Sequence, residues 1–487
     1  MEYRKLSIYN TLTRSKEIFK SIHSDSVGLY VCGPTVYSNV HLGNCRTFVS
    51  FDLMFRYLLH LGYKVRYVRN ITDAGHLEGD RDEGDDKFAK KAKLEQLEPM
   101  EIVQKYTLGF HHVLELFNTL PPSIEPTATG HICEQIEMIK VIVDNGYAYE
   151  KDGSVYFDVE KYTKKYNYGE LTNRKLEDLL VNTRELGGQN EKKGRLDFAL
   201  WIHAKPEHIM RWPSPWGWGF PGWHIECSAM SKKYLGEQFD IHGGGMDLQA
   251  THHTNEIAQS IACHGTGPAR YWVHSNMLTV NGTRMSKSAG NGFLPLELFS
   301  GNHPLLERAY TPMSVRFFMM QTHYRSTLDF SNEALKASEK GYRRLMNAVS
   351  LLDNLKISSH TDFDISVSIE RCYAAMNDDF NSSILIAELF EWVRIINTIN
   401  DGKASIDETN FKLLNTSMKS FVFDVLGLLQ ESDNSETLNR VMNFVIDMRK
   451  KAKSEKNYAT ADYIRDALQD IGIQIKDGKD DVTWNLV

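Results

Sequence analysis

The sequence predicts an α/β fold whose first domain is a doubly wound, Rossmann-like parallel sheet. Residues 27–32 are apolar and end at Gly33-Pro34, as a short buried strand does. From 47 to 61 apolar residues return every three or four positions, which favours a helix, and residues 63–71 then alternate as a second strand does. A strand, a helix and a second strand in this order form the repeating unit of parallel sheets that bind nucleotides.

The rest of the chain divides by composition. A proline-rich step at 121–126 precedes an insertion with a helix at 134–145 and a strand at 154–159, and a loop rich in Pro, Gly and Trp at 211–223 leads back to the sheet. From 332 onward the pattern is almost wholly helical, which predicts an α-helical bundle, and the chain ends in a small α+β module. The predicted domains are 1–130 (first half of the sheet domain), 131–210 (inserted connective module), 211–268 (second half of the sheet domain), 269–331 (region of the RMSKS loop), 332–445 (helical bundle) and 446–487 (C-terminal module).

Composition and charge exclude several classes of protein. The 487-residue chain is 42% hydrophobic, enough for several cores, yet it has no apolar run of the ~20 residues that a membrane span needs. Its N-terminus lacks the apolar core of a signal peptide, and its six scattered cysteines are not the framework of a secreted domain. A net charge of −7 argues against general coating of nucleic acid. We therefore expect a cytoplasmic protein that binds neither membranes nor DNA.

Two short motifs offer contacts to a phosphate. HLGN, from His41 to Asn44, lies where the loop after the first strand enters a helix, so backbone N–H groups and the positive helix end can meet an anion. His41 can donate to a phosphate oxygen, and Gly43 permits close approach. RMSKS, from Arg284 to Ser288, brings two cations to one loop. Taken singly, the histidine can equally be a helix cap, and RMSKS can be a solvated loop.

Because both motifs are present in this order, the sequence resembles the class I aminoacyl-tRNA synthetases, whose signatures are of the HIGH and KMSKS types. The resemblance covers the whole chain. It implies that His41 and Lys287 are catalytic and that ATP is contacted by five residues, namely His41, Gly43, Asn44, Arg284 and Lys287. Asn44 stands where the family usually has its second histidine, and Arg284 where it has its first lysine. Asn44 keeps an amide donor and Arg284 keeps a charge, so we expect the reaction class to be unchanged.

A third group of residues indicates a metal site. His252 and Glu256 are four apart in a stretch with helical periodicity and therefore project from one face. Cys32, at the end of the first strand, and Cys227 can meet them at the carboxyl edge of the sheet, where ligands bind in such folds. Two cysteines, a histidine and a glutamate form a plausible zinc set. On spacing alone, both cysteines can equally be buried apolar thiols.

The segments around these residues resemble the zinc-binding segments of the cysteinyl-tRNA synthetase family. They are GLYVCGPT (28–35), PGWHIECSAM (221–230), HGGGMD (242–247) and residues 252–260. The resemblance implies one Zn²⁺ per chain, held by Cys32, Cys227, His252 and Glu256. It also implies that L-cysteine reacts with ATP, accompanied by Mg²⁺, to give cysteinyl-adenylate and pyrophosphate, and is then transferred to tRNA(Cys).

The same resemblance implies three contacts to the amino acid. Trp223 is expected to pack over the bound cysteine, Asp247 to hold its α-amino group and Thr72 to line the pocket. From the residues alone, Trp223 can be part of a core and Asp247 can cap a helix. A zinc ion would separate cysteine from serine by the softness of the thiolate, which a pocket that sorts by size cannot do.

Two other functions fit parts of the pattern. An ATP-dependent cysteine ligase that acts on a small amine, as in the mycothiol pathway, would share the zinc site but would be shorter. This chain continues to a basic run at 449–456 and a hairpin with Trp484, which is expected to be exposed and to suit the reading of unpaired anticodon bases. The basic run can also be a solvated helix face. A non-catalytic RNA-binding relative would be expected to lose phosphate or metal ligands, and here they are present. The acidic segment 78–87 is expected to be solvated surface, with no assigned role.

Overall fold

The computed structural model describes residues 5–74, 91, 97–174, 192–206, 208–285, 290–431, 434–471, 473–477 and 482–486. The chain forms two compact units, 1–429 and 430–487. The six-part division made from the sequence is finer than this and stays a prediction. Lys287 and the acidic segment 78–87 lie outside the described residues.

The secondary structure alternates strands and helices in the first half of the chain and is mainly helical in the second. In chain order the strands are β1 (Ser7–Asn10), β2 (Ser15–Ile18), β3 (Ser26–Val31), β4 (Lys64–Arg69), β5 (Ala148–Lys151), β6 (Ser154–Phe157), β7 (Phe198–His203), β8 (Trp212–Ser214), β9 (Gly217–Pro221), β10 (Phe239–Gly245), β11 (Ala269–Ser275), β12 (Leu278–Val280), β13 (Thr283–Arg284), β14 (Leu328–Phe330), β15 (Ile473–Asp477) and β16 (Val482–Leu486). The α-helices are α1 (Leu42–His60), α2 (Pro99–Leu116), α3 (Ile132–Asp144), α4 (Val159–Thr163), α5 (Ile225–Leu235), α6 (Thr254–His264), α7 (Pro295–Ser300), α8 (Pro312–Met320), α9 (Asn332–Leu352), α10 (Ile365–Asn377), α11 (Ser382–Asn400), α12 (Glu408–Lys419), α13 (Asn434–Ser454) and α14 (Tyr458–Asp470).

Four parallel strands form the sheet that the sequence predicts, in the order β11-β10-β3-β4. From β3 the chain passes through α1 to β4, and from β10 it passes through α6 to β11. These two connections lead away from the sheet centre in opposite directions, and they diverge between β3 and β10. In open parallel sheets, ligands bind at the carboxyl ends of the strands at such a switch point.

The two faces of β3 belong to different cores, because successive residues of a strand point to opposite sides. Val27, Leu29 and Val31 pack in the core that contains α1. Tyr30 and the following Cys32 lie in a second core, to which α5 and α6 contribute. The alternation of β3 therefore directs Cys32 toward α5 and α6, the helices that carry Cys227 and Glu256.

A five-stranded antiparallel sheet, in the order β5-β6-β7-β9-β8, is inserted after β4 and α3. The sequence predicts a loop at 211–223, but most of that segment forms the hairpin of β8 and β9. Pro213 is tolerated in β8 because this strand lies at the edge of the sheet, where a missing N–H breaks no ladder. The high proline and glycine content of residues 211–223 therefore predicted a loop where the structure has a pair of strands.

The predicted helical bundle is present as α9, α10, α11 and α12. Its helices begin at polar caps: the Ser331 hydroxyl accepts from the Ala334 N–H before α9, and the Asn381 side chain accepts from the Ile384 N–H before α11. Trp392 is fully buried in its core. No helix in the described part of the chain is both long and apolar enough to cross a membrane.

The second unit contains α13, α14 and the antiparallel hairpin of β15 and β16. The predicted boundary at 445/446 falls within α13. Met442, Leu468 and Ile473 form the small core of this unit, and Trp484 packs against it, partly buried. The expectation of an exposed Trp484 is therefore wrong. In a two-stranded hairpin that packs on helices, one strand face is covered, and a single tryptophan does not reveal which face it occupies.

Candidate active site and metal centre

The HLGN motif forms the start of α1. The His41 Nδ1 atom accepts a hydrogen bond of 3.2 Å from the Asn44 N–H, and the Asn44 Oδ1 atom accepts one of 3.2 Å from the His41 N–H. This reciprocal pair satisfies backbone donors that the start of a helix leaves open. Because Nδ1 is an acceptor, the neutral His41 ring carries its proton on Nε2, which can donate. A role as helix cap and a role as phosphate donor are therefore compatible.

A cleft of about 470 Å³ lies at the carboxyl ends of β3 and β10, beside the N-terminus of α1. Its walls come from the loop after β3, the first turn of α1, the segment before α5, the end of β10 and the residue after β13. The residues that matter here are Cys32, His41, Asn44, Trp223, Asp247 and Met285. The cleft thus joins HLGN to one proposed metal ligand and to two proposed contacts of the amino acid.

The hairpin of β12 and β13 brings the start of RMSKS to this cleft. Asn281 and Gly282 form its turn with φ values of 48° and 75°, a left-handed backbone that suits this pair. Arg284 ends β13 and is exposed, and Met285 lines the cleft. Lys287 is not among the described residues, so its catalytic role stays a prediction.

The four residues that the sequence proposes as metal ligands lie together and are buried. The ligand atoms of Cys32, Cys227, His252 and Glu256 all lie within 4.8 Å of one another. The two Sγ atoms are 3.8 Å apart, and Cys32 Sγ is 3.7 Å from Glu256 Oε1. His252 Nε2 is 3.3 Å from Cys227 Sγ and 3.3 Å from Glu256 Oε1. Two sulfurs, an imidazole and a carboxylate at this spacing are compatible with a metal site.

Four segments place these side chains. Cys32 directly follows β3, Cys227 lies in the first turn of α5, and Glu256 lies in the first turn of α6. His252 belongs to a wide π-type turn, Gln249–His253, that enters α6. Such turns distort a helix locally and are frequent at functional sites.

Two further histidines, which sequence reasoning missed, lie against the same residues. His242 Nε2 is 2.7 Å from Glu256 Oε2, and His253 Nε2 is 3.3 Å from Cys32 Sγ. Together with Cys32 and Glu256 they form a second group whose ligand atoms lie within 4.8 Å of one another. His253 Nδ1 is also 2.8 Å from His274 Nε2. Both missed histidines stand in the quoted segments, but their contacts cross between a strand and a helix and leave no spacing signature.

Burial controls the ionisation of this cluster. It raises the pKa of Cys227 to about 12, and together with the hydrogen bond to Cys227 it raises the pKa of Cys32 well above its ordinary range. It also lowers the pKa of His274 to about 3, and burial with neighbouring imidazoles lowers the pKa of His253 far below its ordinary value. Near pH 7 the thiols of Cys32 and Cys227 and the imidazoles of His253 and His274 are therefore neutral. A metal cation that binds the thiols would displace their protons.

The three proposed contacts of the amino acid differ in position. Trp223 and Asp247 line the cleft, and the Trp223 ring centroid is 4.9 Å from that of His252. Thr72 is buried and does not belong to the residues that line the cleft. Its hydroxyl donates a hydrogen bond of 2.5 Å to the Glu226 carboxyl, whose pKa is raised well above its ordinary range by burial. The roles of all three residues stay predictions.

This fold and cleft define a class I tRNA synthetase. The family model described as tRNA synthetases class I (C) catalytic domain matches residues 18–340, and the DALR domain model matches residues 371–430. Methionyl-tRNA synthetase of Mycobacterium tuberculosis, solved with methionyl-adenylate, shares the fold with a TM-score of 0.56 and 13% identity, covering 82% of this chain and 89% of that one. The predicted doubly wound α/β fold with a helical C-terminal region is confirmed.

Relatives of similar length give the particular family. A cysteine–tRNA ligase of Porphyromonas gingivalis is 56% identical over 485 residues, which cover 99% of both chains. One of Bacteroides thetaiotaomicron is 56% identical over 492 residues and covers 100% of both chains, and one of Chlorobaculum tepidum is 44% identical over 493 residues. The chain belongs to the cysteine–tRNA ligase family.

Proposed function

We propose that this protein attaches L-cysteine to tRNA(Cys), after forming cysteinyl-adenylate and pyrophosphate from cysteine and ATP. One observation carries the proposal. Cys32 belongs both to the buried group of residues that could hold a metal ion and to the wall of the cleft beside HLGN. A thiol held at this group and a nucleotide held at the start of α1 would therefore share one cleft. The relatives named cysteine–tRNA ligase, which match over the full length, support the same reaction.

The buried group fits a zinc ion held by Cys32, Cys227, His252 and Glu256. His252 Nδ1 is 2.9 Å from His224 Nδ1 and can donate a hydrogen bond to it. In this tautomer the lone pair of His252 Nε2 faces Cys227 and can bind the metal. When bound, zinc would hold the substrate sulfur as a thiolate and so distinguish it from the serine hydroxyl. A pocket that sorted these amino acids by size would gain only ~1–3 kcal/mol.

The chain's own residues would carry out adenylate formation by positioning and by charge. The cysteine carboxylate attacks the α-phosphate, and the bond to the β-phosphate breaks to release pyrophosphate. His41 would donate Nε2–H to the phosphates from the start of α1, and Arg284 and Lys287 would stabilise the charge of the leaving pyrophosphate. A Cβ at Gly43 would lie 3.1 Å from the His41 ring, so glycine keeps that ring unobstructed. Mg²⁺ would accompany the nucleotide.

The amino acid would be oriented from the opposite wall. A carboxylate suits an ammonium group, and Asp247 lines the cleft, so we assign the α-amino group to Asp247. Trp223 would cover the side chain of the bound cysteine. Thr72 would complete the pocket from behind, through its hydrogen bond to Glu226 next to Cys227.

The second unit would recognise the anticodon. Lys450, Lys451 and Lys453 are exposed on α13, whereas Arg449 is buried. The exposed aromatic side chains of this unit, Phe444, Tyr458 and Tyr463, replace Trp484 as candidates for stacking on unpaired bases. A ligase that acts on a small amine has no need of such a surface, and the relatives match through the end of this chain.

The decisive experiment is aminoacylation with radiolabelled cysteine, run beside serine and beside a non-cognate tRNA. We expect cysteine to be attached to tRNA(Cys) only, and serine to neither tRNA. Cysteine-dependent ATP–pyrophosphate exchange without any charging, together with acylation of a small amine, would instead establish the alternative ligase. Absence of exchange with cysteine would reject both readings.

A further inference from the structure

Asp379 lies between α10 and α11 of the bundle and is completely buried. Both oxygens of its carboxylate are engaged: Oδ1 accepts from the Tyr9 N–H at 2.9 Å and from the Tyr324 hydroxyl at 2.7 Å. Oδ2 accepts from Arg325 Nε at 2.6 Å, and the backbone carbonyl accepts from His323 Nε2 at 3.0 Å. One buried residue of the bundle thus holds three consecutive residues that precede β14.

The backbone at this point is unusual. The φ angles of Asp379 and Phe380 are 65° and 54°, a left-handed conformation that residues other than glycine adopt only when their surroundings impose it. The Asp379 N–H donates to the Ser7 carbonyl at 3.0 Å, which ties the turn to β1. The buried carboxylate of Asp379 thus lies on a turn with an unfavourable backbone conformation.

The segment held by Asp379 is residues 321–327, between α8 and β14, here termed the clamp loop. Arg46, in the first two turns of α1, holds it from the other side: its Nη2 donates to the His323 carbonyl at 3.3 Å. The Arg46 Nη1 donates to the carbonyls of Asn276 and Met277, between β11 and β12, at 3.0 and 2.5 Å. Arg46 is 1% exposed. The clamp loop is therefore fixed between the HLGN helix and the bundle.

The clamp loop leads directly into the strands that position Arg284, the first residue of RMSKS. It continues as β14, which pairs in parallel with β12, and β12 pairs with β13 through Thr279 opposite Arg284. Asp329 of β14 also accepts bonds of 2.7 Å from the Gly282 N–H and from the Thr279 hydroxyl, which fix the turn before RMSKS. The position of Arg284 therefore depends on that of the clamp loop.

We propose that Asp379 is a positioning residue for adenylate formation. By anchoring the clamp loop from the bundle, opposite Arg46 on α1, it sets the distance between the HLGN helix and the strand that ends at Arg284. This inference rests on the proposed function. The hydrogen bonds of Asp379 described above go to β1 and to the clamp loop, and none goes to a proposed metal ligand, so its loss should affect the use of ATP and leave cysteine binding unchanged. Asp379 lies in the segment that matches the DALR domain, so this segment would help to position the ATP site.

The test is Asp379→Asn in the full chain, measured by cysteine-dependent ATP–pyrophosphate exchange. Asparagine keeps one acceptor for Tyr9 and Tyr324 but cannot accept from Arg325 with a charged oxygen. We expect kcat/KM for ATP to fall roughly 10- to 100-fold, since a misplacement of about 1 Å can cost that much, while the KM for cysteine changes less than about twofold. The matched control is Asp378→Asn, because Asp378 is exposed and pairs with Lys16 at the surface; it should match wild type.

A double-variant cycle and a milder variant complete the test. Arg325→Gln should likewise lower kcat/KM for ATP and leave the KM for cysteine unchanged. The double variant Arg325→Gln, Asp379→Asn should lose no more of kcat/KM for ATP than either single variant, because both remove the same ion pair. If Asp379→Asn does not fold, Tyr324→Phe is the deciding variant, because it removes one hydrogen bond to Asp379 and keeps the aromatic ring. It should lower kcat/KM for ATP roughly 3- to 10-fold and leave the KM for cysteine unchanged. A KM for cysteine that rises as much as kcat/KM for ATP falls, or an Asp379→Asn variant that behaves as Asp378→Asn, would overturn the inference. Wild-type protein without exchange would instead reject the proposed function.

Discussion

The Asn44 side chain accepts a hydrogen bond from the His41 backbone N–H, and the His41 ring accepts one from the Asn44 backbone N–H, each at 3.2 Å. Asn44 stands where the family usually has a histidine. The reciprocal cap directs its Oδ1 atom to the helix start, and the amide nitrogen keeps N–H donors for the cleft that Asn44 lines. One residue can thus complete the cap and offer a neutral donor to a phosphate.

Exchange of this amide for a carboxylate separates the two roles. Asn44→Asp keeps the acceptor for the His41 N–H but brings a negative charge to the proposed phosphate site. A like charge at 4 Å costs about 1 to 4 kcal/mol near a surface, so the KM for ATP should rise roughly 10-fold or more at unchanged thermal stability. Asn44→Ala, the control, should lower stability by about 0.5–1.5 kcal/mol, because it removes one hydrogen bond of the helix cap. Pyrophosphate exchange and thermal unfolding measure the two effects. An unchanged KM in Asn44→Asp would remove Asn44 from the phosphate site.

The metal centre is tested by a pair of cysteine variants. Cys227→Ala should release the bound metal and abolish cysteine activation, because it removes one of two sulfurs from the proposed set. Cys263→Ala is the matched control: Cys263 is also buried, on α6, but belongs to neither group of residues that could hold a metal ion. Metal content by mass spectrometry and pyrophosphate exchange are measured on both. A metal-free Cys227→Ala protein with full activity would contradict the role of zinc.

The sequence predicts the proposed metal ligands by resemblance more than by spacing. Only His252 and Glu256 share a local segment; Cys32 and Cys227 reach them through the sheet and through a separate helix. The alternation of β3 fixes which face Cys32 occupies, but which helices cover that face is a long-range property. The role of Asp379 could not be predicted from the sequence for the same reason, because its partners are distant in the chain and come from β1 and from the clamp loop.

The fold was predictable where a pattern is local. The strand, helix and strand from β3 to β4 follow from short apolar periods, and they are confirmed within a few residues. The hairpin of β8 and β9 was missed because an edge strand tolerates Pro213. Trp484 was misplaced because a two-stranded hairpin hides one face against its helices. In each case the outcome depends on what packs against the segment, which local composition does not contain.

Acid should destabilise the fold through His60. This residue ends α1, with Nε2 at 2.8 Å from the Tyr373 hydroxyl and Nδ1 at 3.3 Å from the Ser420 hydroxyl. Burial lowers its pKa below the ordinary 6.5, although Asp424 opposes the shift. The unfolded chain therefore binds this proton more readily than the folded one, and stability is lost as the pH falls below 6.5, by at most about 1.4 kcal/mol per pH unit for one proton.

The comparison of wild type with His60→Gln isolates this effect from the other titrating groups. Above about pH 7.5 the difference in unfolding midpoint between the two proteins should be constant, because His60 is neutral in both states. Below pH 6.5 the difference should shrink, since only wild type has a proton to gain on unfolding at this position. Unfolding curves from pH 5 to 8 test this. A difference that stayed constant over the whole range would show that His60 titrates alike in both states.

The boundary between the two units gives the sharpest test of tRNA recognition. A chain that ends at Leu429 keeps the first unit whole, whereas a cut after Asp447 would divide α13. We expect the shortened protein to keep cysteine-dependent pyrophosphate exchange within about threefold. Charging of tRNA(Cys) should fall roughly 100-fold or more, because each lost stack on an anticodon base is worth about 1–3 kcal/mol.

Single variants in the full chain connect that loss to particular side chains. Phe444→Ala and Tyr463→Ala remove aromatic groups that are 66% and 74% exposed, so neither should alter folding. If these rings stack on bases, each variant should lower kcat/KM for tRNA by roughly 5- to 100-fold and leave pyrophosphate exchange unchanged. Val441→Ala, which removes an exposed apolar side chain of α13, the helix of Phe444, is the control. Charging that survived removal of 430–487 would show that the anticodon is read elsewhere or not at all.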